Sequence, residues 1–485
     1  MSTTNGTSTQ THLCGGNSIL SSQIAEYDRS GRLQAQYIES ARGSRRSRVD
    51  ILKPKDKTQL WRSILDVFLP DGYPSSVSDD YTAYQIFDSF QAFAGTIAGM
   101  IGSRAVWQGL GVGDSAASPT GAMLIQIIRE CMGKLATIFF AHRMGTSIEA
   151  ECKAYRLGSD LLTETAMIID CMSPWFPTQI RFLVLCISSI LFSAAGVAGG
   201  ASKSSLSGHF AKWNNLGELN AKDGSQETII SLAGMMTGTL VVSWLTTPLR
   251  TWVALLSLLG VHFVLNWIGV RAVQMRSLSR QRANIAFSSL LSTDKVLTPI
   301  EVSKRERVFE KHGGAVIRWN CGPILARSRF GVSVKVILSA LAEGQAHTKT
   351  GALNLEGVAL SALIELFRGE QYILWYQTQA KTKSLDPLVM VVLKEDAAAQ
   401  SQLRAWCHCL ILSKYIYDLN EDTRSHERMF ELVSRTLAQT SKTFDACAKR
   451  LTEAGWDLSI PVLETSSGSR IRLGEKSVDI CYRDW

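Results

Sequence analysis

Three apolar stretches constrain this chain more than any other feature. Residues 182–201, 229–249 and 251–270 are 20, 21 and 20 residues long and contain no Asp, Glu, Lys or Arg. With a rise of about 1.5 Å per residue, helices of this length are close to ~30 Å long, the thickness of the hydrocarbon core of a bilayer. We therefore expect each stretch to form a membrane-spanning helix.

The composition supports a membrane protein and argues against nucleic acid as a partner. Hydrophobic residues make up 46% of the chain and charged residues 19%, against roughly 25% charged in an average soluble domain. The net charge of +8 is concentrated in a basic run at residues 42–48 and in four arginines after the last apolar stretch. Arginines beside apolar spans typically mark the cytosolic flank of a membrane helix. These arginines are Arg271, Arg276, Arg280 and Arg282.

Three weaker apolar segments precede the strong ones. Residues 84–103, 119–141 and 155–172 have helical periodicity but carry polar groups, among them Asp88 and Gln91, with Arg104 just beyond the first. Basic clusters at both ends of the apolar region place both ends in the cytosol, which requires an even number of spans. We therefore predict about six membrane-embedded helices, the first three facing a polar interior, with cytosolic termini.

The remaining chain is predicted to be a basic arm and a soluble domain. Residues 1–55 contain few large apolar groups, which predicts a mobile arm with a helix beginning near Ser22. Residues 56–285 form the helical core, and residues 286–485 read as a small α+β domain. Strands are predicted at 332–338, 372–376 and 388–393, and helices at 397–417 and 426–454 with Gly455 as the C-cap. The fold class is thus mainly α, a polytopic helical membrane bundle followed by a small α+β domain.

Glycines four residues apart occur inside three apolar segments. The pairs are Gly95 with Gly99, Gly196 with Gly200, and Gly234 with Gly238. Such pairs allow close approach of membrane helices. Glycine is also common in this chain, at 37 residues, so chance spacing is the alternative.

The polar stretch at residues 214–228 lies between two apolar stretches and is the main candidate site. In one interpretation it is a loop, and Ser225 or Asp223 caps a helix that begins near Thr228. In another, Asp223 and Glu227, four residues apart, share a helix face in a membrane cavity, with Arg104 or Lys222 as the counter-charge. Ionisable groups in membranes are usually functional. The complete set of candidate residues is Asp88, Gln91, Arg104, Asp114, Asn215, Lys222, Asp223, Gln226 and Glu227.

A second Asp-bearing turn, Gly111-Val112-Gly113-Asp114, has two interpretations. It is either a tight turn with Asp114 as the N-cap of the next helix or a phosphate-binding turn. It resembles the 214–228 stretch in its glycines and its acid, so a weak internal repeat and convergent loop chemistry both remain open. If both stretches form one site, they must face the same cavity.

Other polar groups give weaker signals. His262 and Asn266 lie one turn apart in the last apolar stretch, where they hydrogen-bond to neighbouring helices or take part in proton or ligand binding. The ten cysteines include no CxxC pair, and Cys407-His408-Cys409 has no second pair at zinc spacing. We expect free thiols, no metal site and no cofactor. No nucleophile–base spacing indicates an enzyme.

Four long motifs between residues 61 and 282 resemble the root UVB sensitive (RUS) family. They are FLPDGYPSSVSDDYTAYQIFDSFQA, GVGDSAASPTGA, FAKWNNLGELNAKDGSQET and NWIGVRAVQMRSLSRQR. The chain departs from the family pattern at Phe87, where a Trp is expected, and at Gly217-Glu218, where an Ala-Asp pair is expected. Matching positions are Asp80, Tyr81, Tyr84, Gln85, Asp88, Ser89, Gln91, Gly111, Gly113, Asp114, Asn215 and residues 221–228.

The resemblance implies more about biology than about chemistry. Plant members of the family are linked to UV-B responses in roots, seedling development, auxin transport and vitamin B6 homeostasis, and no enzymatic activity is implied. The vitamin B6 link raises a third interpretation of Lys222, as a Schiff-base lysine for pyridoxal. Two functions remain open: a membrane protein that binds or transports a small polar metabolite, and a membrane scaffold. Expected partners are membrane lipid and, for a scaffold, other RUS-family or cytosolic proteins.

Overall fold

The computed structural model describes residues 23–27, 33–41, 47–53, 67–112, 118–311, 315–342, 353–377, 387–419, 425–464 and 468–473. Over these residues the protein is mainly helical, with two small sheets. The chain divides into two units: residues 1–78 with 211–225, and residues 79–210 with 226–485.

The first unit contains an antiparallel sheet where the sequence predicts a mobile arm. Its strands are β1 (Gln23–Tyr27), β2 (Leu33–Ala41) and β3 (Ser47–Leu52), in the order β1-β2-β3. Tyr37 lies opposite Ile24 on one side and Ile51 on the other, an aromatic–aliphatic pairing that stabilises adjacent strands. The predicted helix near Ser22 and the mobile arm are therefore wrong for these residues. The pairing between these neighbouring segments was not visible from their small apolar content.

Six long helices form the predicted helical region. They are α1 (Tyr81–Gly109), α2 (Pro119–Ala150), α3 (Cys152–Met172), α4 (Thr178–Phe210), α5 (Leu216–Trp244) and α6 (Pro248–Ala272). Within the second unit α3 packs on α4, α2 packs on α4, and α1 packs on α3 and α6. Helices α4, α5 and α6 are long and apolar enough to cross a membrane. A six-helix membrane bundle remains a prediction.

Helix boundaries differ from those predicted where prolines and caps intervene. The second apolar stretch extends to Leu249, but its Thr246-Thr247-Pro248 segment favours a turn, and α5 ends at Trp244. Thr247 accepts a hydrogen bond from the backbone N–H of Arg250, and Pro248 occupies the first helical position, so a new helix begins there.

Two of the three glycine pairs lie at close helix contacts. On α5 a Cβ at Gly234 would lie 2.9 Å from the Thr96 Cβ, and one at Gly238 would lie 2.5 Å from the Met100 sulfur. On α1 a Cβ at Gly95 would lie 2.9 Å from the ring of His262. Gly196 and Gly200 have no such neighbour within 4 Å among the described residues. The packing prediction is therefore confirmed for the pairs on α1 and α5 and wrong for the pair on α4.

Replacing Gly234 by alanine should destabilise the protein, whereas the same change at Gly196 should stabilise it. The new methyl group at Gly234 would meet Thr96 and lie 3.3 Å from the backbone oxygen of Phe93, which cannot rotate away. Overpacking of this kind costs about 1–3 kcal/mol. At Gly196 only the helix propensity changes, which favours alanine by roughly 1 kcal/mol. Thermal unfolding of both variants tests this difference, and equal shifts would contradict it.

The second unit continues into an α+β region. Its helices are α7 (Arg280–Thr293), α8 (Pro299–Arg305), α9 (Val334–Leu341), α10 (Leu360–Leu366), α11 (Ala399–Leu419) and α12 (His426–Glu453). Its strands are β4 (Val316–Arg318), β5 (Ile324–Phe330), β6 (Tyr372–Gln377), β7 (Leu388–Lys394) and β8 (Arg470–Ile471). The sheet order is β4-β5-β7-β6, β8 also pairs with β7, and β5 runs parallel to β7.

The predicted strands and helices of this region are mostly confirmed. Strands β6 and β7 and helices α11 and α12 lie where expected, and Gly455 follows α12 with φ +95°, as a C-cap requires. The strand predicted at 332–338 is wrong. Ser333 caps helix α9, whose buried residues Ile337, Ala340 and Leu341 recur at helical spacing. His408 is fully buried between the Tyr372 and Thr436 hydroxyls, and burial lowers its pKa to about 3.

Two of the four arginines taken as a cytosolic flank are buried in this region. Arg280 and Arg282 are each 3% exposed. The Arg280 Nε donates to the Leu463 carbonyl at 2.7 Å, and Arg282 forms an ion pair with Glu306. Burial lowers the pKa of Arg280 to about 10. These two residues therefore stabilise the α+β region. Only Arg271 and Arg276 remain exposed to mark a cytosolic end of the last apolar helix.

Candidate functional site

Three helices of the second unit bring polar side chains together at helical spacing. Residues three or four apart lie on one helix face, so each helix contributes a short polar stripe. The stripes are Tyr84, Asp88 and Gln91 on α1, Arg156, Asp160 and Glu164 on α3, and His262 and Asn266 on α6. We call this set the Arg156 network.

Arg156 is the central cation of the network. Its Nη2 donates to Asp88 Oδ1 at 2.7 Å and its Nη1 to Asp160 Oδ1 at 2.9 Å. Its Nε donates to the Tyr84 hydroxyl at 3.2 Å. The Arg156 and Asp88 side chains are 12% exposed and that of Asp160 is 7% exposed. One guanidinium group therefore joins α1 to α3 in a largely dry environment.

Asp160 is the point where all three helices meet. Its Oδ2 accepts from the Gln91 Nε2 and from the Asn266 Nδ2, each at 2.5 Å. The carboxylate therefore receives donors from α1, α3 and α6. Hydrogen bonds to a charged group contribute about 1.5–3 kcal/mol each.

His262 extends the network along α6. Its Nδ1 lies 2.9 Å from Glu164 Oε1, and its Nε2 lies 3.3 Å from the Gln91 Nε2. The Gln91 Nε2 can only donate, so the Nδ1-protonated tautomer satisfies both contacts, with Nδ1–H donating to Glu164.

The network carries more acid than base. Asp88, Asp160 and Glu164 face one arginine and one histidine. Burying charges is costly even when they are paired, and a fold of apolar helices does not need them for stability. Such a cluster inside a helical core is typical of a functional site.

A second, smaller polar contact joins α2, α3 and α4. The Arg129 Nη2 donates to Asp170 Oδ2 at 2.8 Å, and the Ser188 hydroxyl donates to the other oxygen of Asp170. The Ser189 hydroxyl donates to the Arg129 carbonyl at 2.8 Å. Among the described residues, no group of three His, Cys, Asp or Glu side chains is placed to hold a metal ion.

The candidate residues on α1 separate into two places. Asp88 and Gln91 belong to the Arg156 network. Arg104 lies about 20 Å beyond Gln91 along α1, at about 1.5 Å per residue. Its Nη1 donates to the carbonyls of Val242 and Leu245 at 2.8 and 2.9 Å, at the end of α5. Its local role is thus to satisfy the C-terminal carbonyls of a helix.

The polar stretch at 214–228 is helical, so its interpretation as a capped loop is wrong. Helix α5 begins at Leu216, and the Ser225 hydroxyl donates to the carbonyl of Ala221 inside this helix rather than capping it. Polar composition alone suggested a loop, yet one helix contains both the polar stretch and the apolar span. The remaining candidates here are Asn215 just before α5, and Lys222, Asp223, Gln226 and Glu227 within it.

Side chains of this stretch differ in their surroundings. Asp223 is 7% exposed, and Lys222 and Gln226 are half-buried. Glu227 is exposed and forms an ion pair with Lys203 at 2.8 Å. Neither side-chain atom of Asn215 has a hydrogen-bond partner among the described residues. A ligand role for these residues stays a prediction.

Asp114 and residues 113–117 lie outside the described residues. The sequence predicts that the two Asp-bearing stretches are similar loops. The stretch at 214–228 is helical from Leu216 onward, so it does not have the loop structure that this comparison assumes. Whether the two face one cavity stays a prediction.

Sequence reasoning missed the central residues of the network. Arg156, Asp160 and Glu164 occur at four-residue intervals in the most polar of the predicted helices. That spacing was the available signal, but it is also the pattern of a solvent-exposed helix face. His262 and Asn266 were predicted to hydrogen-bond to neighbouring helices, and this prediction is confirmed.

The described residues form a mainly helical core with three apolar helices and a buried polar network, followed by a small α+β region. No solved structure matches this chain. Residues 54–294 match the family model described as a vitamin B6 photo-protection and homoeostasis domain, and residues 359–467 match that of the root UVB sensitive protein C-terminal region. The chain belongs to the root UVB sensitive family.

Relatives occur in a slime mould and in a plant. RUS family member 1 of Dictyostelium discoideum is 38% identical over 267 residues, which cover 54% of this chain and 51% of that protein. The chain thus spans about half the length of this relative. Protein root UVB sensitive 3 of Arabidopsis thaliana is 28% identical over 399 residues, which cover 82% of this chain and 83% of that protein. Another Arabidopsis relative, 25% identical over 260 residues (53% of this chain, 59% of that protein), is named root UVB sensitive 2, chloroplastic.

Proposed function

We propose that this chain is a polytopic membrane protein whose helical core binds and moves a small polar metabolite at the Arg156 network. The observation that carries the proposal is a buried, charged, three-helix network in a core that includes apolar helices. Ionisable groups in such a position usually mark a substrate or ion path.

The exposed faces of the apolar helices support membrane insertion. Of the most apolar 18-residue segment of α5, only 11% is buried. Met236 and Leu240 on α5 are each 67% exposed, and Leu249 at the start of α6 is 74% exposed. Soluble proteins rarely expose contiguous apolar surface on this scale, and lipid would cover it without cost.

The charge of the network indicates the kind of ligand. With three acids around one arginine, the network favours a molecule that offers hydrogen-bond donors or a positive charge. The family description names vitamin B6. Pyridoxine, pyridoxal and pyridoxamine are small polar molecules of this kind, and they are the first compounds to test.

Uptake of labelled pyridoxine, pyridoxal and pyridoxamine into proteoliposomes tests the proposal. We expect saturable uptake of at least one compound and a loss of about tenfold or more in Asp160→Asn. A hydrogen bond to a charged group contributes at least about 1.4 kcal/mol, which corresponds to this factor. Asp445→Asn is the matched control, because Asp445 pairs with Arg404 on an exposed surface and its loss costs little.

Two results would overturn the proposal. One is uptake no greater than that of empty vesicles for all three compounds. The other is equal uptake by wild type and Asp160→Asn at equal amounts of folded protein. If Asp160→Asn instead loses a protein partner in a pull-down while uptake is absent throughout, the scaffold function replaces the transport function.

A further inference from the structure

A cavity separate from the Arg156 network lies between α2, α3, α4 and the segment that follows α8. Its volume is about 700 Å³, within the range of roughly 300–1,000 Å³ that holds small organic ligands. Most of its lining is apolar, and it includes Phe140, Met144, Leu162, Leu191 and Phe309. A cavity with such walls suits the apolar body of a ligand.

Glu151 supplies the distinctive polar group of this cavity. It is the single residue between α2 and α3, with φ −121° and ψ 40°, so the helix is interrupted where its side chain meets the cavity. Its Oε1 is buried and has no hydrogen-bond partner among the described residues. A buried acceptor without a donor is unfavourable, so this oxygen is available to a ligand that brings one.

Glu310 also lines the cavity. The presence of a second carboxyl group determines whether a cationic or an anionic ligand fits there. The Glu310 Oε1 already accepts from Arg318 at 3.1 Å, whereas the Glu151 Oε1 has no donor within the described part of the chain. Two carboxyl groups in one apolar cavity disfavour an anionic ligand such as a fatty acid. A cationic donor is attracted by both.

We propose that this cavity binds a primary amine with an apolar body, whose ammonium group donates to the Glu151 carboxylate. The apolar body packs against Phe140, Leu162 and Leu191. The proposal does not rest on any function of the Arg156 network. On α3 the cavity is lined by residues such as Tyr155, Gly158 and Leu162, which helical spacing places on the side away from Arg156, Asp160 and Glu164. Ser159 lies at the edge between the two sides, where its hydroxyl donates to Asp160 Oδ1 at 3.4 Å.

Binding should strengthen as pH rises through neutrality. Burial raises the pKa of Glu151 to about 7, Arg282 and Arg280 lower it, and Glu306 and Glu310 raise it. Above about pH 7 the carboxylate is ionised, while an alkylamine with a pKa near 10 stays protonated. Below it Glu151 is neutral and attracts the ammonium group less. Because this pKa is raised in the folded state, the free protein loses stability as pH rises through that value.

The test measures unfolding temperatures of the full chain in lipid nanodiscs with added octylamine, 4-phenylbutylamine, octanol or octanoate. We expect at least one amine to raise the unfolding temperature, more at pH 8 than at pH 6, since a ligand that binds only the folded state stabilises it. Octanoate and octanol should not do so. Octylamine represents a ligand with a lipid-like chain, and 4-phenylbutylamine represents a more compact ligand. Stabilisation by either amine supports the site.

Three variants separate the site from partitioning into lipid. Glu151→Gln should weaken the apparent affinity for the amine by about tenfold or more, which is equivalent to the loss of one charged hydrogen bond. Glu149→Gln, two residues earlier and exposed, should leave it unchanged. Gly158→Leu should abolish it by filling the cavity, since Gly158 lines the cavity and has no atom within 4 Å of its Cβ direction among the described residues.

The proposal is overturned if octanoate stabilises as well as the amines, or if neither amine has an effect. It is also overturned if Glu151→Gln and Glu149→Gln respond alike. Should Glu151→Gln fail to fold, Gly158→Leu decides, and an unchanged amine response in that variant would refute the site. Loss of B6 uptake leaves these results unaffected, so failure here and failure of the transport function are distinguishable.

Discussion

Replacing Arg156 by methionine is expected to lower the free energy of unfolding by about 3–5 kcal/mol, the cost of removing one partner from a buried ion pair. Methionine keeps the unbranched apolar stem of the side chain and removes the guanidinium group. It leaves Asp88 and Asp160, which lie 2.7 and 2.9 Å from the guanidinium, without their cation. Denaturant unfolding of the full chain in detergent measures the loss.

A rescue variant shows whether charge is the cause. Combining Arg156→Met with Asp88→Asn and Asp160→Asn removes the uncompensated charges, so we expect it to recover part of the lost stability. Arg143→Met on α2 is the control, because Arg143 is exposed. An Arg156→Met variant as stable as Arg143→Met would show that the network is solvated rather than buried.

Replacing Glu306 by glutamine should lower the free energy of unfolding by a similar amount. Glu306 lies where α3 meets the α+β region. Glu306 accepts from Lys153 at 2.7 Å and from Arg282 at 2.8 Å, and all three side chains are less than a tenth exposed. The variant leaves two buried cations facing a neutral amide. We expect a loss of about 3–5 kcal/mol at pH 7. Glu453→Gln at the exposed end of α12 should change little.

The Glu306 effect should depend on pH in a definite direction. Burial alone would raise the pKa of Glu306, but Lys153 and Arg282 outweigh burial and hold this pKa below its ordinary value. A lowered pKa in the folded state stabilises the protein above the unfolded pKa of about 4.3, and this contribution is lost as pH falls through the folded value. The difference between wild type and Glu306→Gln should therefore be constant near neutrality and shrink below about pH 4. A difference independent of pH would contradict the ion-pair account.

The apolar helices could be predicted from the sequence because their signal is local. A stretch of 20 residues without charge has few alternatives to a long helix. Strands β4 and β5 were missed because Arg318, Arg327 and Arg329 interrupt their apolar pattern. The sheet of the first unit was missed because its stability comes from pairing between segments, which composition does not reveal.

The candidate site could be predicted only in part. Asp88, Gln91, His262 and Asn266 stood out because each is polar within an apolar helix. Arg156, Asp160 and Glu164 did not, because acids and bases four residues apart are common on solvated helices. Only the packing of α1 and α6 against α3 distinguishes the two cases. For the stretch at 214–228, the density of charge suggested a capped loop. The alternative interpretation, with Asp223 and Glu227 on one helix face, agrees with α5.

A structure of the full chain in lipid nanodiscs, determined by electron cryo-microscopy, tests the central claim most directly. The account predicts that the lipid belt covers the exposed faces of α4, α5 and α6, including Leu240, and that Arg156 and Asp160 lie inside the protein at the depth of the belt. A belt that leaves these faces uncovered, or that leaves the Arg156 network outside the membrane, would contradict it.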